Sequence, residues 1–223
     1  EGAEANPLLF RCNGFRHAFI FRLNADVGRV PVGIPVRALC RLCVIERDGL
    51  ALCHRVQAAL PAESCCLPFY LFTNPEAAKS LLLFRYNTLP MALERAKMLD
   101  CKGACYPIAT LNGDEACPLW QHASLQLQPS TAVSYGIWHY VHLTDDKAFL
   151  YRYGAEMLLQ IARFQATRVG FSEKIGKYGF FGVMGPDEFH MMVNNNAYTN
   201  YMGMRALRYA ADVLEAMRPD APE

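Results

Sequence analysis

Residues 147–168 read KAFLYRYGAEMLLQIARFQATR, and they form the longest stretch of the chain with a regular hydrophobic period. Its apolar side chains recur at helical spacing and share one face: Phe149, Leu150, Tyr153, Met157, Ile161 and Phe164. Thr144, Asp145 and Asp146 stand directly before it, where they break the preceding segment and supply a capping side chain. The sequence therefore predicts one long amphipathic helix at 147–168.

The segments on both sides of this helix carry further helix signals. Upstream, Asn74 is a capping side chain that precedes Pro75 and the acidic Glu76. In the helix that follows, we expect the inner face to consist of Ala77, Leu81 and Phe84, with Leu83 beside them. The predicted helices lie at 76–87, 91–99, 129–143, 147–168 and 197–217. Strand signals after residue 70 are sparse and 170–182 is predicted as loop, so the chain is expected to be an all-α array of antiparallel helix pairs.

Residues 1–66 differ in composition from the rest of the chain. They contain six of the nine cysteines and eight arginines, but no lysine and no tyrosine. One interpretation is a small β-rich module with strands at 18–23 and 30–36, although glycine and proline interrupt the pattern. The other is an irregular, poorly ordered segment that results from out-of-frame translation of GC-rich DNA, which produces an excess of arginine, alanine, cysteine and leucine. We favour the second interpretation.

The overall composition indicates a globular protein and excludes several classes of function. Hydrophobic residues make up 52% and charged residues 19% of the chain, and the net charge is +1. This balance gives no reason to expect nucleic acid or an anionic membrane as a partner, and no apolar run could span a bilayer. We see no signal peptide, so the odd number of cysteines favours reduced thiols in a cytoplasmic protein. Cys40 and Cys43 lack a second pair at suitable spacing, since Cys65 and Cys66 are adjacent, and we predict no metal site.

A second stretch, residues 183–201, carries the candidate chemistry and reads VMGPDEFHMMVNNNAYTNY. Gly185-Pro186 predicts a turn, and carboxylates, amides and aromatic rings follow it. A carboxyl group can move a proton, amides can bond sugar hydroxyls, and aromatic faces can cover the C–H faces of a sugar ring. The alternative is a polar turn followed by a helix that Asn196 or Thr199 caps. Met191 and Met192 are predicted to fill the core.

The run from Gly185 to His190 (GPDEFH), with NNNAYTNY at 194–201, closely resembles glycoside hydrolase family 65. That family contains maltose, kojibiose, nigerose and trehalose phosphorylases and some hydrolases. The likeness extends to three further segments, at 67–86, 106–115 and 178–184. It implies a partial (α/α)6 barrel that forms a catalytic domain over residues 67–217. The helix pattern itself predicts polar loops at one end, and the residues at 218–223 predict a frayed tail.

The resemblance also implies inverting phosphorolysis of an α-linked glucosyl disaccharide, which gives β-glucose 1-phosphate and a free sugar. Glu188 matches the family's general acid, which would protonate the glycosidic oxygen. Inorganic phosphate is the implied co-substrate, and no cofactor is implied. The candidate sugar-binding residues are Asp187, His190, Asn195, Asn196, Thr199, Trp120 and Glu115. Most of these side chains also have a structural alternative. Asp187 can bind backbone amides at the turn, and Asn195, Asn196 and Thr199 can cap the last helix. His190 can pair with a carboxylate, and Trp120 can pack in the core.

The chain departs from the family pattern at both ends. Before Leu67 the family carries a Trp-Asp-x-Glu motif, where this chain reads PAESCC at 61–66. The family's phosphate-binding Lys-Gln element and Ser-Thr-rich loop would follow Glu223, where the chain stops. We therefore expect part of a domain with exposed apolar inner faces, and the sequence leaves open whether it is an enzyme. The alternatives are an α-glucoside hydrolase on the same scaffold and a catalytically inactive fragment; full-length relatives are often homodimers.

Overall fold

The computed structural model describes residues 9–10, 19–20, 62–110 and 112–219. Its helices are α1 (Ala62–Cys65), α2 (Leu67–Thr73), α3 (Pro75–Asn87), α4 (Leu89–Met98), α5 (Trp120–Leu125), α6 (Gln128–Thr144), α7 (Lys147–Phe149), α8 (Ala155–Arg168) and α9 (Ala197–Met217). Short antiparallel strand pairs accompany them: β1 (Leu9–Phe10) with β2 (Phe19–Ile20), and β3 (Gly170–Ser172) with β4 (Lys177–Gly179). The described part of the chain is mainly helical, which confirms the predicted fold class at this level.

The helix predicted at 147–168 runs through α7, a π-helical turn (Leu150–Gly154) and α8. Its predicted inner face is buried at Phe149, Leu150, Met157, Ile161 and Phe164, and Tyr153 packs against the same core. The π-helical turn coincides with a close approach of α6, since a Cβ on Gly154 would lie 3.2 Å from Ile137 Cγ2. A glycine at this position lets the two helices approach each other closely.

The core is organised around α6, which packs against α3, α8 and α9. The side chains that fill it include Leu82 from α3, Ile137 from α6, Met157, Leu158 and Ile161 from α8, and Ala206 and Ala210 from α9. Burying a leucine- or isoleucine-sized side chain stabilises the fold by about 1.5–3 kcal/mol. The position of α6, and with it the position of its first residue Gln128, is therefore fixed by packing on several sides.

The inner face of α3 differs from the prediction. Ala78, Leu82 and Arg85 are buried, whereas the side chains predicted to face inward are only partly buried: Ala77, Leu81, Leu83 and Phe84. The reason is a buried ion pair, in which Arg85 Nε donates to Glu63 Oε1 at 2.6 Å. A charged residue normally marks the outer face of a helix, so the sequence of α3 alone gives no sign that Arg85 points inward.

Two other local predictions are wrong, and one short helix was not predicted. Residues 170–182, predicted as loop, contain the hairpin β3–β4 with Phe171 opposite Tyr178. The short helix α5 was not expected from the sequence. Met191 and Met192, predicted to fill the core, are exposed because they lie in a loop that leaves the helical core.

Most predictions for the first 61 residues, and those for the tail at 220–223, lie outside the described residues. The strand predicted at 18–23 includes β2, whereas the strand predicted at 30–36 lies outside the described ranges. The chain is already helical in α1, before the domain start predicted at residue 67. No disulfide joins the cysteines at positions 65–117 that the structure describes. Each helix in the described ranges is too short or too polar to cross a membrane.

Candidate active site

The candidate site is built on a loop that two backbone hydrogen bonds close. Val183 N donates to Val193 O at 3.0 Å, and Val193 N donates to Val183 O at 2.8 Å. At the start of the loop, Met184 N donates to Leu125 O at 2.9 Å. Residues 185–192, which include Glu188, are therefore attached to the end of α5, next to the start of α6.

The asparagine and threonine at the start of α9 bind each other. Asn196 Oδ1 accepts hydrogen bonds from Thr199 N and from Thr199 Oγ1, both at 3.0 Å. Asn196 is thus the N-cap of α9, and Thr199 is buried. In this arrangement Asn196 performs the capping role that the sequence offered as the alternative to sugar binding, and the Thr199 hydroxyl donates to that cap.

The neighbouring asparagines bind the backbone of the segment that leads into the loop. Asn194 Oδ1 accepts from Gly182 N at 2.9 Å, and Asn200 Oδ1 accepts from Phe180 N at 2.9 Å. Asn195 N donates to Phe180 O at 2.8 Å, and Asn195 adopts a left-handed backbone conformation with φ of 57°. Asparagine is one of the few residues that tolerate this conformation. These contacts hold the two ends of the loop together.

Glu188 lies at the junction of α5 and α6, and 34% of its side chain is accessible to solvent. Its Oε1 accepts a hydrogen bond from Gln126 Nε2 at 2.9 Å and lies 3.6 Å from His122 Nδ1. Within the described ranges, no donor binds the other carboxylate oxygen, Oε2. The carboxyl group is therefore anchored through one oxygen, and a substrate can reach it from solvent.

Gln126 was not predicted from the sequence as a site residue, although it links Glu188 to the start of α6. Its Oε1 accepts a hydrogen bond from Gln128 Nε2 at 3.0 Å, and the same nitrogen donates to Gly185 O at 3.3 Å. Both glutamines are buried. A signal was available in the sequence, because two amide side chains flank Leu127 where a helix begins, and buried amides need hydrogen-bond partners.

Asp187 pairs with His190 on the loop. His190 Nδ1 lies 2.5 Å from Asp187 Oδ2, and Phe189 N donates to Asp187 Oδ1 at 3.1 Å. The hydrogen bond from His190, reinforced by the one from the backbone, holds the pKa of Asp187 below its ordinary value of 3.8. Asp187 is therefore ionised at neutral pH, and both of its oxygens accept hydrogen bonds from the loop itself.

Glu115 lies in a separate loop, where its carboxylate binds backbone amides. Its Oε2 accepts from Ile108 N at 2.9 Å, and its Oε1 accepts from Ala109 N at 3.2 Å and from Cys117 N at 3.0 Å. The guanidinium of Arg95 lies 3.3 Å from Oε2. In this structure the carboxylate organises its own loop and does not join the group around Glu188.

Trp120 begins α5, the helix that also carries His122. It is 62% exposed, so it does not pack in the core. An exposed indole ring can serve as a platform for the apolar face of a sugar. The structure thus gathers Glu188, His122 and Gln126 at one junction, with an exposed aromatic residue on the same helix.

The groups gathered at this junction can orient a proton. They are a carboxyl group, an imidazole and two primary amides, which is the chemistry of general acid–base catalysis. Across the residues that the structure describes, no group of three or more His, Cys, Asp or Glu side chains could hold a metal ion. A carboxyl group that solvent can reach and that a buried amide holds in place is a candidate proton donor.

Comparison with known proteins identifies the family. Residues 61–221 match the family model described as the glycosyl hydrolase family 65 central catalytic domain. The chain belongs to glycosyl hydrolase family 65, as its resemblance to the family predicted. The match begins at residue 61, so it includes α1 and the buried Glu63, which precede the boundary predicted at residue 67.

Several relatives of the chain are named as disaccharide phosphorylases. It is 40% identical to an alpha,alpha-trehalose phosphorylase of Thermoanaerobacter brockii, over 70% of this chain and 20% of that protein. It is 39% identical to a maltose phosphorylase of Bacillus subtilis, over 70% of this chain and 21% of that protein. The solved structure of a protein from the human microbiome, provisionally assigned as a kojibiose phosphorylase, matches this chain with a TM-score of 0.67 and 53% sequence identity. The match covers 69% of this chain and 23% of that one. The chain spans about a fifth of the length of the curated relatives it matches.

Proposed function

We propose that the protein takes part in the phosphorolysis of an α-glucosidic disaccharide, with Glu188 as the general acid on a partial (α/α)6 barrel. The observation that carries the proposal is the position of Glu188, partly exposed at the α5–α6 junction and anchored through one oxygen by Gln126. The names of the relatives support the substrate class, since trehalose and maltose are both α-glucosides. Disaccharide and inorganic phosphate are the proposed partners, with no further cofactor, and a cytoplasmic location is part of the same proposal.

The proposed reaction needs one proton donor and one anionic nucleophile. Glu188 donates its proton to the glycosidic oxygen while the bond from that oxygen to the anomeric carbon breaks. A phosphate oxygen forms the new bond to the anomeric carbon from the opposite face, so the α-glucoside yields β-glucose 1-phosphate. The second sugar leaves with the proton on its hydroxyl group. Because phosphate is already an anion, the reaction requires no second carboxylate to activate water.

The sugar contacts are proposed from exposure and position. Trp120 offers an exposed ring on the helix that carries His122. Asp187 and His190 form an exposed pair on the same loop as Glu188, and their remaining hydrogen-bonding capacity faces solvent. We therefore place the sugar against this loop and α5.

Assays of the purified chain with and without phosphate test the proposal. We expect maltose, kojibiose or trehalose to be cleaved only when phosphate is present, with β-glucose 1-phosphate detected by ³¹P NMR. Glu188→Gln keeps the shape of the side chain but cannot donate a proton, so turnover should fall about 10²–10⁴-fold. Glu173→Gln makes the same change at an exposed glutamate in the β3–β4 turn and should leave turnover unchanged.

Other outcomes would assign a different function. Cleavage at the same rate without phosphate would identify an α-glucoside hydrolase. A folded chain that binds the sugars but never cleaves them, with or without phosphate, would identify a catalytically inactive fragment.

A further inference from the structure

We propose that Gln126 is a positioning residue that determines which oxygen of Glu188 carries the catalytic proton. The inference rests on the proposed function and deepens it by naming a residue that acts through the general acid. Gln126 is 4% exposed, so it lies behind the carboxyl group and does not face solvent. Its effect on a reaction must therefore pass through Glu188.

The direction of the Gln126 amide follows from a chain of hydrogen bonds that begins at the backbone. The carbonyl oxygen of Gly185 can only accept a hydrogen bond, so the atom of Gln128 that lies 3.3 Å from it is the Nε2 donor. The same Nε2 lies 3.0 Å from Gln126, and this contact requires the acceptor Oε1 of Gln126. The Nε2 of Gln126 must then point towards Glu188.

The groups around the Gln126 nitrogen agree with this direction. Glu188 Oε1 lies 2.9 Å from it, His122 Nδ1 lies 3.0 Å from it and Met184 Sδ lies 3.1 Å from it. The carboxylate oxygen and the thioether sulfur accept hydrogen bonds, and His122 Nδ1 accepts in the tautomer that carries its proton on Nε2. A flipped amide would place its oxygen against these acceptors and its nitrogen against the donor of Gln128. Only one orientation of the amide satisfies both sides.

The fixed amide has a consequence for proton transfer. An amide N–H group donates but cannot accept, so the lone pair of Glu188 Oε1 that faces Gln126 is not available for a proton. Oε1 has a second lone pair, but the carbonyl oxygen of a carboxylic acid is a better acceptor than its hydroxyl oxygen. In the acid form Oε1 is therefore the carbonyl oxygen that accepts from Gln126, and the proton resides on Oε2, which no donor binds among the described residues. After the proton has left, the same N–H group stabilises the carboxylate that remains, because hydrogen bonds to ionised groups are stronger than neutral ones.

The hydrogen-bond chain also fixes the loop that carries the acid. Gly185 lies in the turn that precedes Glu188, and the buried Gln128 holds its carbonyl oxygen. One pair of glutamines thus anchors both the backbone of the loop and the carboxyl group. The position of Glu188 is thereby tied to the start of α6, which the core holds in place.

NMR of the 223-residue chain with ¹⁵N-labelled glutamine tests the contact without any need for catalysis. The side-chain amide signal of Gln126 should show a pH-dependent step as its partner changes from carboxyl to carboxylate, and Glu188→Gln should abolish that step. A step from the His122 imidazole, which also contacts the amide, should persist in Glu188→Gln. Gln121, on the same helix, should show no such step. The proposal is overturned if the Gln126 signal stays constant while the ¹³C signal of the Glu188 carboxyl group titrates.

The pH dependence of turnover distinguishes positioning from a purely structural role. Gln126→Glu replaces the donor by a like charge, so Glu188 should hold its proton more tightly and the alkaline limb of the pH–rate profile should move up by about one unit or more. At neutral pH kcat should fall about 10- to 100-fold while KM changes less, since Gln126 does not face the sugar. Gln121→Glu, the matched control, should leave the profile where it is.

The two proposals fail in different ways. If the wild-type chain shows no phosphate-dependent turnover, the proposed function fails, and the NMR titration still decides the role of Gln126. If turnover is present but Gln126→Glu and Gln121→Glu give the same pH–rate profile, the positioning role is wrong. Gln126→Leu, which removes the donor without adding charge, should shift the profile in the same direction by a smaller amount. A profile that only drops in height for both Gln126 variants would also contradict the proposal.

Discussion

Single amide side chains determine how the candidate site is held. The run of asparagines at 194–196 suggested a sugar site from the sequence, yet the oxygens of Asn194 and Asn196 accept hydrogen bonds from backbone N–H groups. A short side chain that ends in an amide can reach the backbone of a nearby turn, so asparagine is a frequent choice at loop ends and caps. The side chain that binds the general acid is instead Gln126, whose longer side chain spans from α5 to the loop.

The pairing of Asp187 with His190 gives a prediction at this scale. The hydrogen bond from His190 lowers the pKa of Asp187, so removing the imidazole should raise that pKa back towards its ordinary value. We expect His190→Ala to move the titration of the Asp187 carboxyl carbon, followed by ¹³C NMR, to higher pH. His142→Ala removes an exposed histidine from α6 and should leave Asp187 unchanged. An unchanged titration in His190→Ala would show that the pair does not form in solution.

At the scale of secondary structure, Asp146 joins three helices. Its Oδ1 accepts from Phe149 N at 2.9 Å at the start of α7, and its Oδ2 accepts from Lys79 Nζ of α3 at 2.8 Å and from Tyr140 Oη of α6 at 2.9 Å. The sequence identified Asp146 as a cap, but the two tertiary contacts come from packing. The hydrogen bond from Lys79, the largest influence, lowers the pKa of Asp146, and the bonds from Phe149 and Tyr140 act in the same direction.

We therefore expect Asp146→Asn to destabilise the protein. Asparagine keeps the capping oxygen but loses the charge that pairs with Lys79, and the free energy of unfolding should fall by about 1 kcal/mol at neutral pH. Because the folded-state pKa is lowered, the contribution of the wild-type carboxylate is present above its unfolded pKa and is lost as pH falls through the folded pKa. The difference between variant and wild type should therefore shrink as the pH falls below the ordinary Asp146 pKa of 3.8.

Urea denaturation at neutral and acidic pH measures this difference. Asp145→Asn is a matched control, because Asp145 lies beside Asp146 in a left-handed conformation that asparagine tolerates. A loss of stability in Asp146→Asn that stays constant across this pH range would contradict the role of the ion pair.

At the scale of the whole molecule, the buried ion pair between Glu63 and Arg85 attaches α1 to the helical core. The side chain of Glu63 is 0% exposed and that of Arg85 is 9% exposed. Glu63 also lies against Gly136 of α6, where an added Cβ would be 3.1 Å from the Glu63 Cβ. Residues before the domain start predicted at 67 therefore pack into the domain. Elsewhere on the described part of the chain, large apolar side chains such as Phe72 and Phe189 are exposed to solvent.

Breaking this pair on one side should be costly. Arg85→Met leaves Glu63 buried without its partner, and the free energy of unfolding should fall by about 3–5 kcal/mol. The double variant Glu63→Met with Arg85→Met removes both charges, so it should recover a substantial part of that loss. Chemical denaturation of the two variants and the wild type gives the comparison. If the double variant is less stable than Arg85→Met alone, the unpaired charge is not the cause of the loss.

The sequence predicted what depends on neighbouring residues. The inner face of 147–168 was predicted correctly from Met157, Ile161 and Phe164, because hydrophobic spacing is a local property of a helix. The hydrophobic spacing in α3 gave the wrong inner face, because Arg85 is buried with a partner, Glu63, that lies in another helix. The hairpin β3–β4 was missed because strands this short carry little pattern.

The sequence by itself determined the helical class, the positions of the long helices, the family and the loop that carries Glu188. The tertiary structure decided which groups meet that carboxyl group, since Gln126 is separated from Glu188 by 62 positions in the chain. It also decided that Asp187 pairs with His190, that Glu115 binds its own loop and that Trp120 is exposed. The physical reason is that periodicity and capping act over one or two helical turns, whereas a buried hydrogen bond forms only after packing has brought distant segments together.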